Sequence, residues 1–176
     1  MTEFGQADIT RVRGRVAGLV DEYNLPGIAV GVVSGDRLVY AEGFGFADVE
    51  AGRPQDPSLR QRIGSITKTM VALCAMRLVD EGKLSLDDRV TDRLPDLRLD
   101  GPAESLCVRH LLTHTGGIGE SPTIDDFPDP WSALWSDEPD LRGVPGMYPA
   151  GITIEVAPGT KWAYANHGFA LLGEMV

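Results

Sequence analysis

The alternation of apolar and polar positions predicts a helix followed by a β-hairpin at the start of the chain. Between Ala7 and Glu22, apolar side chains recur every three or four residues, as on one face of an amphipathic helix. Residues 28–33 are a short, β-branched, apolar run, which predicts a buried strand. A turn signal at 34–36 precedes residues 37–46, which we interpret as the return strand. Because an isolated hairpin is only marginally stable in water, we expect further strands or a covering helix.

From residue 67 onward the pattern becomes that of helices. The predicted elements are a main helix from Thr67 to about Glu81, short helices at 90–94 and 108–112, a weak strand at 152–154 and a last helix from Gly168. The stretch 119–150 is rich in Pro, Asp and Trp and predicts an irregular excursion. The change in pattern predicts two domains. Residues 1–62 hold the N-terminal helix and hairpin of an α/β domain whose sheet is incomplete, and residues 63–176 hold a mainly helical domain that is truncated.

Composition narrows the classes of protein that the chain can represent. An apolar fraction of 43% is enough for a real core, and a net charge of −10 excludes nucleic acid as a natural partner. The sequence shows no basic N-terminal region followed by an apolar run and no stretch long enough to cross a membrane, so we expect a cytoplasmic chain. Cys74 and Cys107 are not in a CxxC pattern, and we interpret both as buried free thiols.

A serine and a lysine stand together at the start of the main helix. Residues 64–68 read Gly-Ser-Ile-Thr-Lys, and this spacing puts Ser65 and Lys68 on one helical face. A serine hydroxyl is a poor nucleophile until a base removes its proton, and Lys68 can be that base in its neutral form. The alternatives are that Ser65 is a helix cap and that Lys68 is a surface lysine whose stem covers apolar surface.

A second polar cluster, Tyr164-Ala165-Asn166, follows Pro158-Gly159. On extended backbone the side chains of Tyr164 and Asn166 share one face. Next to a serine and a lysine they would add a second proton carrier and an amide that orients substrate. The alternatives are that Tyr164 is a core aromatic residue and that Asn166 is a helix cap.

Four stretches of the chain, in this order, resemble one known family. They are Arg62-Ile63-Gly64-Ser65-Ile66-Thr67-Lys68, residues 81–88, residues 109–115 and residues 158–166. From about Leu25 to Val176 the chain resembles the serine β-lactamase and penicillin-binding-protein superfamily. The closer similarity is to the class C-like branch of β-lactamases, D-alanyl-D-alanine carboxypeptidases, D-aminopeptidases and esterases. The resemblance implies an α+β, β-lactamase/transpeptidase-like fold, with an antiparallel sheet flanked by helices, a mainly helical domain, and the site in the cleft between them.

The resemblance also implies roles for individual residues. Ser65 would be acylated and would give its backbone N–H to the oxyanion hole, and Lys68 would help to deprotonate it. Tyr164 would carry a proton to the leaving group, and Asn166 would bind the substrate's amide. The substrate would be a small molecule, with β-lactam, D-amino-acid peptide and small ester all left open. No metal, cofactor, nucleic acid or membrane is implied.

The family's third motif, Lys-Thr-Gly or similar on a late strand, has no counterpart. His114-Thr115-Gly116 has similar letters but belongs to the middle segment, so we do not count it. We therefore expect the fold to be incomplete at the C-terminus, with a C-terminal segment or a partner chain completing the sheet. The alternative function is a catalytically incomplete fragment, or a non-hydrolytic penicillin-binding sensor or scaffold protein.

Other readings of the chain are weaker. No G-x-S-x-G elbow supports a Ser-His-Asp hydrolase. His110 and His114 have the i, i+4 spacing of a zinc helix, but Leu111 stands where a catalytic Glu is needed. We interpret His167 as a helix-start residue rather than a ligand. The excursion's aromatic residues are hypothesised to line the cleft, namely Phe127, Trp131, Trp135 and Tyr148.

Overall fold

A computed structural model of the chain describes residues 4–119 and 151–176. The chain divides into two compact units, Met1–Arg62 and Ile63–Val176. The assignment of residues 1–62 and 63–176 to two domains of the family's fold stays a prediction. The predicted excursion and its four aromatic residues lie outside the described residues.

The first unit consists of one helix and an antiparallel sheet. Its elements are α1 (Gln6–Glu22), β1 (Gly27–Ser34), β2 (Arg37–Asp48) and β3 (Arg53–Pro54). The strands lie in the order β1-β2-β3, so the predicted hairpin gains a third strand. Because β3 has only two residues, no alternation of apolar and polar side chains could predict it. The prediction that β1 is a buried strand is wrong, because its residues are half-buried or exposed and Val33 is 66% exposed.

A carboxylate on β2 connects the sheet to α1. The side chain of Glu42 accepts a hydrogen bond from Arg13 Nε at 2.6 Å and another from the hydroxyl of Tyr40 at 2.5 Å. These bonds lower the pKa of Glu42, with the bond from Arg13 as the largest cause. The amphipathic helix therefore covers part of the hairpin, as the marginal stability of a lone hairpin requires.

The second unit is mainly helical. A 3₁₀ turn at Gly64–Ile66 is followed by α2 (Thr67–Asp80), α3 (Val90–Arg93), β4 (Leu99–Asp100), α4 (Val108–Leu112), β5 (Ile152–Thr153) and α5 (Asn166–Glu174). Strands β4 and β5 pair in parallel. The sequence pattern places most of these elements within a residue or two. It misses β4, and it starts the last helix at Gly168 rather than at Asn166.

The core of the second unit lies around α4 and α5. Seven side chains there are less than 2% exposed, namely Leu106, Leu111, Ile154, Leu171, Leu172, Val90 and Val108. Helix α2 contributes less than its apolar composition suggests. Only Ala75 of α2 is fully buried, whereas Leu73 is 63% exposed. The interpretation of both cysteines as buried thiols is therefore wrong for Cys74, which is exposed on α2, while Cys107 is buried.

Shortening a core side chain of α5 is expected to destabilise the chain. Leu171 is fully buried, so Leu171→Ala should lower the free energy of unfolding by about 2–5 kcal/mol through lost burial and a residual cavity. Urea unfolding followed by circular dichroism measures this change. The matched control is Leu73→Ala on the exposed side of α2, which should change stability by at most about 0.5 kcal/mol. Equal effects of the two substitutions would contradict this description of the core.

Among the described residues, no helix is both long enough and apolar enough to pass through a membrane.

Candidate active site

Ser65 lies in the 3₁₀ turn that leads into α2, with its side chain exposed. The turn is entered through Gly64, whose φ of 52° lies in the left-handed region that glycine adopts readily. Ile66, and not Ser65, occupies the N-cap position of α2, so the alternative of a capping serine is not what the structure shows. Three residues later, the half-buried Lys68 donates a hydrogen bond from Nζ to Ser65 Oγ at 3.2 Å.

The start of α5 brings two further polar side chains to the same place. The hydroxyl of Tyr164 donates a hydrogen bond to Ser65 Oγ at 2.7 Å. Lys68 Nζ donates a second hydrogen bond to Asn166 Oδ1 at 2.7 Å, across 98 positions of sequence. The same nitrogen lies 4.8 Å from the ring centroid of Tyr164 and 5.9 Å from that of Phe169. The structure thus joins all four residues that the sequence singles out into one hydrogen-bonded cluster.

The backbone at the start of α5 explains why Tyr164 and Asn166 point to one place. Ala165 is the N-cap residue and is extended, with φ −133° and ψ 114°, and Asn166 is the first residue of the helix. Extended backbone at the intervening residue puts its two neighbours on one side. Neither alternative interpretation fits, because Tyr164 is 43% exposed and Ala165, rather than Asn166, caps the helix.

The cluster favours an ionisable phenol. Hydrogen bonding to Lys68, and secondly to Ser65, lowers the pKa of Tyr164 below its ordinary value, and this outweighs the opposing effect of burial. An ionised phenol in this position accepts hydrogen bonds from both groups. Ser65 Oγ is therefore in contact with two groups that can carry its proton, the amine of Lys68 and the oxygen of Tyr164.

His114 is a member of the site that the sequence analysis did not single out. Its Nδ1 accepts a hydrogen bond from the backbone N–H of Ala165 at 3.2 Å. Its ring centroid lies 4.5 Å from that of Tyr164 and 5.1 Å from that of Phe169. Burial, and secondly the positive charge of Lys68, lower the pKa of His114. The sequence analysis named His114 only in a motif that it did not count and in a weak zinc spacing, and the middle segment shared with the family gave it no role.

The structure does not support the alternative of a zinc helix. Helix α4 ends at Leu112, so His114 lies beyond it, while His110 accepts a hydrogen bond at Nδ1 from the backbone N–H of Cys107 at 3.3 Å. No group of three or more His, Cys, Asp or Glu side chains suited to a metal ion occurs in the parts of the chain that the structure describes. His167 is the second residue of α5, and burial lowers its pKa.

The second unit therefore holds a serine and a lysine at the start of one helix, hydrogen-bonded to a tyrosine and an asparagine at the start of another. The chain belongs to the β-lactamase family, because the family model described as "Beta-lactamase" matches residues 12–176. The predicted superfamily and fold class are confirmed.

The chain is similar to an esterase and a hydrolase, and also to a penicillin-binding protein homologue. Esterase EstB of Burkholderia gladioli is 42% identical over 152 residues, which cover 82% of this chain and 38% of EstB. The structure of the octameric penicillin-binding protein homologue from Pyrococcus abyssi matches with a TM-score of 0.77 and 33% identity, over 96% of this chain and 38% of that one. EstCE1, described as a hydrolase with promiscuous acyltransferase activity, matches with a TM-score of 0.73 and 28% identity, over 95% of this chain and 45% of its own. The chain therefore spans less than half the length of these relatives.

Proposed function

We propose that the chain carries the acyl-forming centre of a serine hydrolase, with Ser65 as the nucleophile and an ester as the substrate. The observation that carries this proposal is the pair of contacts to Ser65 Oγ, 3.2 Å from Lys68 Nζ and 2.7 Å from the Tyr164 hydroxyl. Both distances are within the reach that proton transfer between a nucleophile and its base requires.

The cluster supports a balanced sequence of steps. Ser65 Oγ attacks the carbonyl carbon of the ester, and its proton passes to whichever of the Lys68 amine and the Tyr164 phenol is unprotonated. The tetrahedral intermediate then breaks the bond to the leaving alkoxide, which takes that proton from the group that received it as the acyl-enzyme forms. In hydrolysis, a water molecule loses a proton to the same groups and attacks the acyl carbon. The bond from that carbon to Ser65 Oγ then breaks, Oγ takes the proton back, and the carboxylic acid product leaves.

Asn166 has a different part in the proposal. Its Oδ1 accepts the hydrogen bond from Lys68 Nζ at 2.7 Å. The side-chain amide also carries an NH₂ group. While Oδ1 accepts the hydrogen bond from Lys68, this NH₂ group can donate a hydrogen bond to a carbonyl oxygen of the substrate. We therefore assign to Asn166 the orientation of both Lys68 and the substrate.

The choice of an ester rests on two relatives. EstB is named as an esterase, and EstCE1 is described as a hydrolase with promiscuous acyltransferase activity. A β-lactam or a D-amino-acid peptide are the alternatives, and the similarity to a penicillin-binding protein homologue favours them as the second candidate. Because the chain spans 38% of EstB, acyl formation is the step assigned to its own residues. We propose that a further segment or a partner chain completes the sheet and supplies the second oxyanion donor.

Intact-protein mass spectrometry tests the proposal. The folded chain is incubated with p-nitrophenyl acetate and, separately, with a fluorescent penicillin, and any adduct is mapped by peptide digestion. An acetyl adduct on Ser65 that decays with time supports a hydrolase, and a penicillin adduct that persists supports the sensor alternative. A folded chain that forms no adduct with either reagent would overturn the proposal.

Removing the Tyr164 hydroxyl should slow the reaction without removing the nucleophile. In Tyr164→Phe the ring contacts with His114 and Lys68 stay, but the 2.7 Å hydrogen bond to Ser65 Oγ is lost. We expect acylation to slow by about 10²–10⁴-fold, the usual contribution of one proton-transfer group. Stopped-flow absorbance of released p-nitrophenol measures the rate. Tyr40→Phe, which removes a hydroxyl bonded to Glu42 in the first unit, is the matched control and should acylate at the parent rate.

A further inference from the structure

His114 holds an unusual backbone conformation beside the site. Its φ is 55°, in the left-handed region where a side chain with a Cβ atom is disfavoured and glycine is not. The residues on its C-terminal side, Gly116 and Gly117, show that small residues are available in this segment of the chain. Because this backbone conformation costs free energy in a histidine, its presence here points to a role for the imidazole ring.

The contacts of His114 bracket Tyr164 on the neighbouring segment. The backbone N–H of Ala163 donates a hydrogen bond to the carbonyl oxygen of His114 at 2.8 Å. The backbone N–H of Ala165 donates to Nδ1 of the same residue at 3.2 Å. These two alanines are the sequence neighbours of Tyr164, so the backbone on both sides of the tyrosine is tied to one residue.

The imidazole ring also supports the phenol from the side. The ring of Tyr164 lies with its centroid 4.5 Å from that of His114 and its plane inclined by 31°. Phe169 of α5 and Trp162 flank the imidazole at centroid distances of 5.1 and 6.1 Å. The ring is thus held among aromatic neighbours, and it limits the positions that the phenol of Tyr164 can take.

The hydrogen bond to Ala165 defines the tautomer of His114. An N–H donor requires a lone pair at Nδ1, so the ring must be neutral and must carry its proton on Nε2. Partial burial of the ring, and secondly the positive charge of Lys68, lower the pKa of His114 and so also favour the neutral form.

We propose that His114 is a positioning residue for acyl transfer, which fixes the hydroxyl of Tyr164 on Ser65 Oγ by holding the backbone on both sides of the tyrosine and packing against its ring. This inference rests on the function proposed above. His114 contacts the ring of Tyr164 and the backbone beside it, so it acts through Tyr164 and through the first turn of α5, where Asn166 accepts the hydrogen bond from Lys68.

Two substitutions of His114 separate its acceptor from its ring. His114→Gly relieves the left-handed backbone but removes the acceptor and the ring, so the maximal acylation rate should fall by about 10²-fold, as for a small misplacement of a reacting group. The ester concentration that gives half-maximal rate should hardly change. Asparagine tolerates the left-handed backbone and places an acceptor oxygen near the position of Nδ1, so His114→Asn should recover much of the loss.

The matched control is His110→Asn. His110 lies on α4 and also accepts a backbone hydrogen bond at Nδ1, in its case from Cys107 of its own segment, so its variant should acylate at the parent rate. The measurement is pre-steady-state release of p-nitrophenol from p-nitrophenyl acetate. A glycine variant that acylates as fast as the parent would overturn the proposal. So would an asparagine variant that folds and is as slow as the glycine variant.

A second readout does not depend on activity. Nitrogen NMR of the imidazole groups should show His114 neutral, with an unprotonated Nδ1, and the amide of Ala165 should shift and exchange faster in His114→Gly than in His114→Asn. A proton on Nδ1, or an Ala165 amide that is unchanged in both variants, would overturn the positioning role even if the chain acylates. If the parent does not acylate but the NMR result is as expected, the proposed function is overturned. The contacts by which His114 holds Tyr164 in place would still stand. If the glycine variant does not fold, the parent and the asparagine variant decide the question.

Discussion

Replacing Ser65 by alanine is expected to abolish the acyl adduct. The substitution removes one atom, Oγ, which accepts hydrogen bonds from both Lys68 and Tyr164. It leaves the start of the helix and the other three polar side chains in place. Loss of a serine nucleophile typically costs on the order of 10⁶-fold in turnover. Intact mass after incubation with p-nitrophenyl acetate should show one acetyl group on the parent and none on Ser65→Ala.

Ser58→Ala provides the comparison for this result. Ser58 is also exposed, and its hydroxyl donates a hydrogen bond to Asp56 at 2.6 Å in the first unit, so the variant should be acetylated like the parent. An adduct that persists in Ser65→Ala, with the same stoichiometry as in the parent, would mean that the nucleophile lies elsewhere in the chain.

Replacing Lys68 should have the second-largest effect. Lys68 Nζ connects Ser65 Oγ at 3.2 Å with Asn166 Oδ1 at 2.7 Å, so Lys68→Ala removes a candidate base and also the anchor of the asparagine. We expect acylation to slow by about 10²–10⁴-fold. The same substitution should raise the pKa of Tyr164, because hydrogen bonding to Lys68 is the largest cause that lowers it. Absorbance at the tyrosinate band, titrated in the parent and the variant, measures the direction of this change.

Lys68→Arg separates the two roles of the lysine. A guanidinium keeps the positive charge and the donors but cannot serve as a base, because it does not lose its proton in proteins. This variant should acylate as slowly as Lys68→Ala while the pKa of Tyr164 stays lowered. Lys83→Ala removes an exposed lysine that pairs with Glu81 at 2.8 Å, and it should leave both quantities unchanged. A Lys68→Arg variant that acylates at the parent rate would contradict the assignment of Lys68 as the base.

Local sequence patterns were enough to predict the long elements. The amphipathic helix α1, the strands β1 and β2 and the helix α2 each extend over at least eight residues, which is long enough for a helical period or an apolar run to be recognised. The pairs Arg53–Pro54 and Leu99–Asp100 are too short for any repeat, and their pairing depends on which distant segment happens to lie alongside. The start of α5 was placed two residues late because Asn166 and His167 are polar, and the helical apolar pattern begins only after them.

The site residues were predictable for a different reason. Nothing in local spacing brings Tyr164 next to Ser65, since 99 positions separate them. Local spacing singled out two separate pairs of polar residues, and the resemblance, which rests on the order of four motifs, placed both pairs in one site. His114 could not be found in that way, because its role depends on a left-handed backbone and on hydrogen bonds from Ala163 and Ala165. Those features exist only once two separate segments of the second unit lie side by side.

The solvent exposure of one side of α2 could not be predicted from the sequence either. An apolar run such as residues 70–76 predicts a buried helix, yet Met70 is 53% exposed and Leu73 is 63% exposed in the described chain. Amphipathic periodicity indicates which side chains are apolar, but the amount of covering surface is a tertiary property. The exposure of Cys74 has the same origin.

The hydrogen bond between Lys68 and Asn166 closes a loop of nearly the whole second unit, because the two residues stand 98 positions apart. The cluster of four polar side chains is therefore held together by long-range contacts, and we expect it to be lost when the second unit unfolds. If Ser65 is acylated as proposed, the extent of its labelling by an ester reagent measures the folded fraction of the second unit. The helix and sheet of the first unit do not enter this measurement. Partial denaturation followed by labelling would then record the order in which the two units melt.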